Sequence, residues 1–249
     1  MSTPLDAGQM EVISEKGRTE SAAIPSRRSF LRQSALATPA ILAAGSIAEA
    51  ATKSKRKTTG GGSGGTTSPF PAINASNFVS FHIRNIVNNE NTHLTGLLSE
   101  LGTAARPKPT FQNITPTTVQ QFVQMGSMFC AVGAGAYLGS GPYISNPSVL
   151  IQGGSLGQVE LAQSAFLNSI LGGTLLPNGS AFAPPLTLDQ FVFMVTPFIA
   201  SLNGGPPIAF STTDRSPVND LAILNVALVA EYLEHDFYNT YFPQFFPGA

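Results

Sequence analysis

The sequence predicts an all-α fold, a bundle of four long helices with one short extra helix. Three observations support this. Apolar residues recur at three- and four-residue spacing through several segments of twenty residues or more. Gly, Pro and small capping residues punctuate the intervals between those segments. No stretch alternates apolar and polar residues as a half-buried strand would.

The chain opens with address rather than structure. Residues 26–33 read SRRSFLRQ, followed by the mild apolar run SALATPAILAAGSIA and the small residues around Ala48-Glu49-Ala50. A basic region, an apolar stretch and a small-residue cleavage point make a secretory signal. The pair Arg27-Arg28 followed by Ser, Phe and Leu resembles the twin-arginine export motif, so residues 1–50 are assigned to a signal peptide. That resemblance implies the twin-arginine export machinery as a partner and a periplasmic or extracellular location. Residues 51–76 carry KSKRK and then TTGGGSGGTTS, a flexible tract with little to bury. The domain proper is placed at 77–249.

Within it, the first helix spans Asn77 to Gly102, with Ile83, Ile86, Val87, Leu94, Leu97, Leu98 and Leu101 on one stripe. A second runs from Pro116 to Leu138, capped by Thr115 and ending in the small-residue stretch AVGAGAYLG, which permits close helix contact. The third covers Ser148 to Leu171 and stops at Gly172-Gly173. A shorter fourth, Thr187 to Leu202, begins with the capping box TLDQ and contains Pro197, which kinks or ends it. The last starts at Asp220 as its cap and runs to Pro243, after a long flexible segment 203–217.

Composition narrows the function. From Pro69 onward the basic residues are Arg84, Arg106, Lys108 and Arg215, outnumbered by acids, which argues against nucleic-acid binding. A single cysteine, Cys130, excludes an intrachain disulfide framework. No apolar run after the leader is long and clean enough to anchor the chain in a bilayer. No nucleophile triad, phosphate loop or Cys/His zinc motif is present.

The informative feature is the placement of glutamates. Glu90 interrupts the apolar stripe of the first helix, with His93 one turn on. Glu160 interrupts that of the third, with Gln163 three residues later, and Glu231 that of the last. An isolated buried carboxylate costs several kcal/mol or stays protonated, and three facing one another repel. A divalent cation removes both penalties. Bundles that hold metal do so with a Glu from each of two helices and Glu-x-x-His from the other two. Glu90, His93, Glu160 and Glu231 are therefore candidate ligands; the alternative is that the stripes are displaced by one position and the acids reach solvent. Cys130 reads as a small buried hydrophobe, while Glu234 and His235 could extend the site but stand where the helix begins to reach solvent and are read as exposed.

At these residues the chain resembles the ferritin-like proteins, including the desiccation-related group. DLAILNVALVAEYLEHDFY is similar to that family's first helix, and HIRNIVNNENTHLTGLLSELG, with its Glu-x-x-His, to the second. MFCAVGAGAYLGSGPYI, GGSLGQVELAQSAFLNSILGG and LDQFVFMVTPFI are similar to the third, fourth and closing helices. The order is circularly permuted, since the usual first helix stands last. That arrangement leaves packing within one chain or exchange between chains in a homo-oligomer, the first being preferred.

The resemblance also shows erosion. Cys130 stands where the family's third helix carries an acid, and Gln163, a weak substitute ligand, where the fourth carries His. It implies one divalent metal, iron or manganese, with zinc admitted by the thiol, and at most residual ferritin-like oxidase activity. The functional expectation is an exported stress- or desiccation-protective metal protein. Its alternatives are a metal-free helical module with a vestigial site and a binder of small hydrophobic ligands.

Overall fold

The computed structural model describes residues 75–248. The signal peptide at 1–50 and nearly all of the 51–76 linker lie outside the described residues. Five helices dominate: α1 (Phe78–Leu101), α2 (Val119–Ser140), α3 (Pro147–Ile170), α4 (Leu188–Val195) and α5 (Pro217–Phe245). A minimal antiparallel ladder joins β1 (Thr110–Phe111) to β2 (Ile199–Ser201), with Thr110 opposite Ser201 and Phe111 opposite Ile199. This ladder was not foreseen, because two or three residues are too few to show an alternation.

The long helices form a ring. α2 packs most closely on α3 and α1 on α5, α5 also adjoins α2, and α1 touches α3 only sparingly. The last helix thus packs against α1 and α2 of its own chain. α4 lies against the outside of α2.

Local chemistry sets the helix ends, and several differ from the sequence expectation. Thr118, not Thr115, caps α2, accepting from the Gln121 amide. Pro116 therefore precedes the helix. Asn146 caps α3 through the Ser148 amide. Ser216, not Asp220, caps α5 by accepting from the Asn219 amide, with Pro217 in the first turn. Asp220 lies one turn inside and serves a different purpose. The Thr187–Gln190 capping box of α4 forms as read. That helix ends at Val195 rather than Leu202, because Pro197 lacks the N–H to continue and a 3₁₀ turn, Thr196–Phe198, takes over. α5 instead continues past Pro243 to Phe245.

The segment 203–217 is tied down rather than loose. Asn219 accepts from the Ser211 amide and donates to the Ser211 and Asp214 carbonyls, and Arg106 donates to the Pro206 carbonyl. The expectation about apolar runs also needs correction. Val119–Tyr143, which is α2 with its following turn, is long and apolar enough to cross a bilayer. Its apolar character follows from its position, with α3, α4 and α5 packed around it.

Two apolar clusters fill the bundle. At one end Ile83, Phe122, Phe129, Leu167, Phe237 and Tyr238 interlock, with Phe122 stacked on Phe237 at 5.1 Å between ring centroids. Toward the other end Leu94, Leu97, Leu101, Leu224, Leu228 and Tyr232 pack together. A satellite of Val132, Leu186, Phe191 and Val195 seats α4. The small residues of α2 serve this seat. A Cβ at Gly139 would overlap the Leu186 carbonyl, and the Leu186 amide donates to the Gly135 carbonyl at 2.9 Å. The close contact permitted there is with a loop backbone rather than with another helix. Along both α1 and α5, a polar layer falls between the two main clusters.

Candidate metal centre

That layer is built by helical periodicity. On α1, Ile83, Ile86 and Val87 lead to Glu90 and His93, then to Leu94 and Leu97, so both polar residues point where the stripe points. On α5, Leu224 and Leu228 lead to Glu231 and Glu234, then to Phe237 and Tyr238. α3 contributes Glu160 and Gln163, and α2 contributes Cys130 and Tyr137. Glu90, Glu160 and Cys130 are 0% exposed, Glu231 1% and Glu234 2%.

The structure brings Glu90, His93, Glu160 and Glu231 together, each offering a donor atom within 4.8 Å of the others. His93 Nδ1 stands 3.6 Å from Glu90 Oε2, 3.2 Å from Glu160 Oε1 and 3.5 Å from Glu231 Oε2. A second set, Glu90, Cys130, Glu160 and Glu234, meets the same 4.8 Å limit. Gln163 is turned aside. Its Oε1 accepts from the Cys130 thiol at 3.2 Å, and Tyr238 Oη lies 3.4 Å from the same sulfur.

Two placements differ from the sequence expectation. Glu234 is not at solvent but buried among the other acids. Tyr137, which the sequence reading passed over, donates from its hydroxyl to Glu231 Oε1 at 2.6 Å. Cys130 is buried as expected within the first apolar cluster, yet its sulfur meets polar groups. His235 is partly exposed, 3.5 Å from Asp236 on the bundle's flank. His82 packs between Phe78 and Phe166, away from the cluster. A Glu-x-x-Glu spacing on an otherwise apolar α5 is the signal that could have found Glu234, since it repeats the geometry of Glu90-x-x-His93.

The electrostatics are those of a site short of positive charge. Burial and the neighbouring Glu90 charge push the Glu160 carboxyl well above its ordinary range, against an opposing pull from His93. Burial likewise raises Glu231 and Glu234. For His93, burial works toward neutrality, but the ring of Glu160, Glu231 and Glu90 overcomes it and pushes the imidazole up to about 12. Burial and the surrounding acids hold the Cys130 thiol protonated. In this form the imidazolium is, among the described residues, the one positive charge facing the acids of the cluster.

The fit of a cation is tested by the atoms left over. Both oxygens of Glu90, both of Glu160, Glu231 Oε2, His93 Nδ1 and Gln163 Nε2 are buried without a hydrogen-bond partner among the described residues. Buried polar atoms in folded proteins are nearly always satisfied, so seven orphans in one layer are an exception requiring a cause. Carboxylate oxygens and an imidazole nitrogen gathered over the breadth of one coordination sphere are the donors of a divalent metal. The residues present fit such an ion.

Comparisons with known proteins agree with this picture. The family model described as Ferritin-like domain matches residues 44–173, which include α1, α2 and α3 and end before α4 and α5. No curated protein and no solved structure matches the chain. With a helical bundle, a carboxylate layer in its core and a family match over more than half its length, the chain belongs to the ferritin-like domain family.

Proposed function

We propose that this protein is an exported ferritin-like protein that holds a divalent metal, iron or manganese, in the core of its bundle and protects the cell envelope against oxidative or drying stress. The observation that carries the metal reading is the set of orphaned oxygens on Glu90, Glu160 and Glu231 around His93 Nδ1. The export reading rests on SRRSFLRQ and the small-residue run that follows it. Twin-arginine substrates cross the membrane folded, which suits a site that closes around its ion inside a dry core.

The bundle is also read as permuted. α5 carries the Glu-Tyr-Leu-Glu sequence and supplies Glu231 and Glu234, the contribution expected of the family's first helix. It lies outside the matched stretch 44–173, as a helix moved to the other end of the chain would.

The chain's own residues have distinct tasks. Glu90 and Glu160 each keep both oxygens free and can serve as ligands shared across the layer. His93 gives Nδ1 once its proton leaves. Tyr137 holds its proton on Glu231 Oε1, leaving Oε2 for the ion. The Phe122, Phe237 and Leu228 layers above and below exclude water. When bound, iron or manganese supplies a one-electron redox couple inside the protein.

Two measurements test the reading. Protein purified through its native export route should contain close to one equivalent or more of iron or manganese per chain; less than about a tenth of an equivalent of any metal favours the metal-free module. Glu90→Gln should lower metal content and the melting temperature of the loaded protein. In metal-free protein the same change should raise the melting temperature, since it removes a charge from an uncompensated set. A stabilising effect in both forms would mean that the site is vestigial.

A further inference from the structure

The His93 position does not use everything in the layer. Cys130 Sγ and a Glu234 oxygen stand with oxygens of Glu90 and Glu160, all within 4.8 Å of one another and all buried. We propose that the core holds a second, thiophilic cation position formed by Cys130 and Glu234, which shares Glu90 and Glu160 with the His93 position. The proposal rests on reading the core as a metal centre and adds a site whose chemistry differs from the first.

Charge favours two ions over one. Glu90, Glu160, Glu231 and Glu234 together carry four negative charges when ionised, and a single divalent cation neutralises half of them. The remainder would be buried charge without a partner, which folded proteins avoid. Two divalent cations balance the four carboxylates, and the single charge of a thiolate is left to the donors around the sulfur. Glu90 and Glu160 have two free oxygens each, so each can face both positions.

Gln163 provides an independent observation. Its side chain is 5% exposed, and Nε2 has no partner among the described residues, while Oε1 takes the thiol proton. Turning the amide over would aim N–H at the sulfur. That orientation suits a thiolate and not a thiol, and it would satisfy the orphan. Tyr238 Oη, 3.4 Å from the sulfur, can donate to it as well. Gly133 on α2 faces the same two residues, since a Cβ there would meet Glu160 Cγ and Glu234 Oε1 at 3.4 Å.

The binding step balances simply. The Cys130 S–H bond breaks, its proton leaves to solvent, and a metal–sulfur bond forms; no electron changes hands. A thiolate with carboxylates selects zinc and its analogues cobalt and cadmium over manganese or magnesium, whereas imidazole with carboxylates suits iron or manganese. The two positions therefore prefer different ions.

The test uses metal-free mature protein titrated with cadmium and with cobalt, read by metal analysis and by thiolate-to-metal charge-transfer absorption. The expected result is two ions per chain and a charge-transfer band. Cys130→Ser should abolish the band and one of the ions, and Glu234→Gln should weaken the band-forming step by about tenfold or more. One ion with no band overturns this proposal and leaves the His93 position standing. No ion at all overturns both. An unchanged titration in Glu234→Gln removes Glu234 from the site and overturns the proposed ligand set. If Cys130→Ser fails to fold by circular dichroism, the band in the unmutated protein still decides.

Discussion

Asp220 and Glu231 lie about three turns apart on the same helix, both almost fully buried, and their surroundings could hardly differ more. Asp220 receives the Ser145 amide at 2.7 Å, the Ser145 hydroxyl at 2.7 Å and the Asn146 amide at 2.9 Å. Although burial works against it, those donors hold its carboxyl below the usual range. Among the described residues Glu231 has one hydrogen-bond donor, Tyr137, with His93 Nδ1 3.5 Å from its other oxygen; it faces Glu90 and Glu160 across the core, where burial pushes its carboxyl up against the pull of His93. One buried acid is complete within the chain. The other belongs to a layer that the chain alone leaves unsatisfied. Burial of an acid is thus no sign of a ligand site; burial without donors is.

The contrast predicts opposite pH responses, and the largest effect expected here. Glu160, Glu231 and Glu234 have folded values above the ordinary 4.5, so below that pH both folded and unfolded chains are protonated and no penalty exists. As pH rises through and beyond it, the unfolded chain releases protons that the folded one retains, and stability falls. His93 adds the same trend, since its stabilisation is complete below 6.5 and is lost toward about 12. Metal-free protein should therefore melt at a lower temperature near pH 8 than near pH 5. Saturating manganese should flatten or reverse that slope. A metal-free protein more stable at the higher pH would show that the carboxylates are not held together as described.

Asp220 should behave in the other sense. Its depressed value means stability present above the ordinary 3.8 and lost as pH falls below it. Asp220→Ala removes the acceptor of three hydrogen bonds, and we expect a loss of about 3 kcal/mol in chemical denaturation. The loss should be similar with and without metal, and metal content of the folded fraction should not change. A fall in metal stoichiometry would mean that the α2–α3 turn and the centre are coupled.

What could be read from the sequence follows the same division. The helices were legible because their apolar stripes keep a 3.6-residue period, and Glu90, Glu160 and Glu231 were legible because each breaks a stripe. Glu234 was not. α5 is buried around most of its circumference, from Ile223 and Val226 to Leu233 and Phe237, so periodicity assigns it no outer face on which to misplace or place an acid. Helix caps were misread by one turn where two capping residues compete, as with Thr115 and Thr118, because the choice depends on what the loop meets in space. The glycines of α2 signalled close approach but not its object. Leu186 and the carboxylates of Glu160 and Glu234 come from distant parts of the chain.

Tyr137 sharpens the comparison at its smallest scale. It is the one neutral donor that the polar layer gives to Glu231, and it lies on α2 above Gly133 and Cys130, so it belongs to the same helix face. Tyr137→Phe keeps the ring and its packing and removes only the hydroxyl. If the layer were self-satisfied like Asp220, the loss would be that of an ordinary buried hydrogen bond, about 1 kcal/mol, in every condition. In a metal centre Glu231 Oε1 becomes free to join Oε2 on the ion, and part of that loss is recovered. We therefore expect destabilisation of about 1 kcal/mol in metal-free protein and a smaller effect in the loaded one, measured by paired denaturant titrations. An equal loss in both forms would make Tyr137 a packing residue, and would leave Glu231 bound to the ion through one oxygen alone.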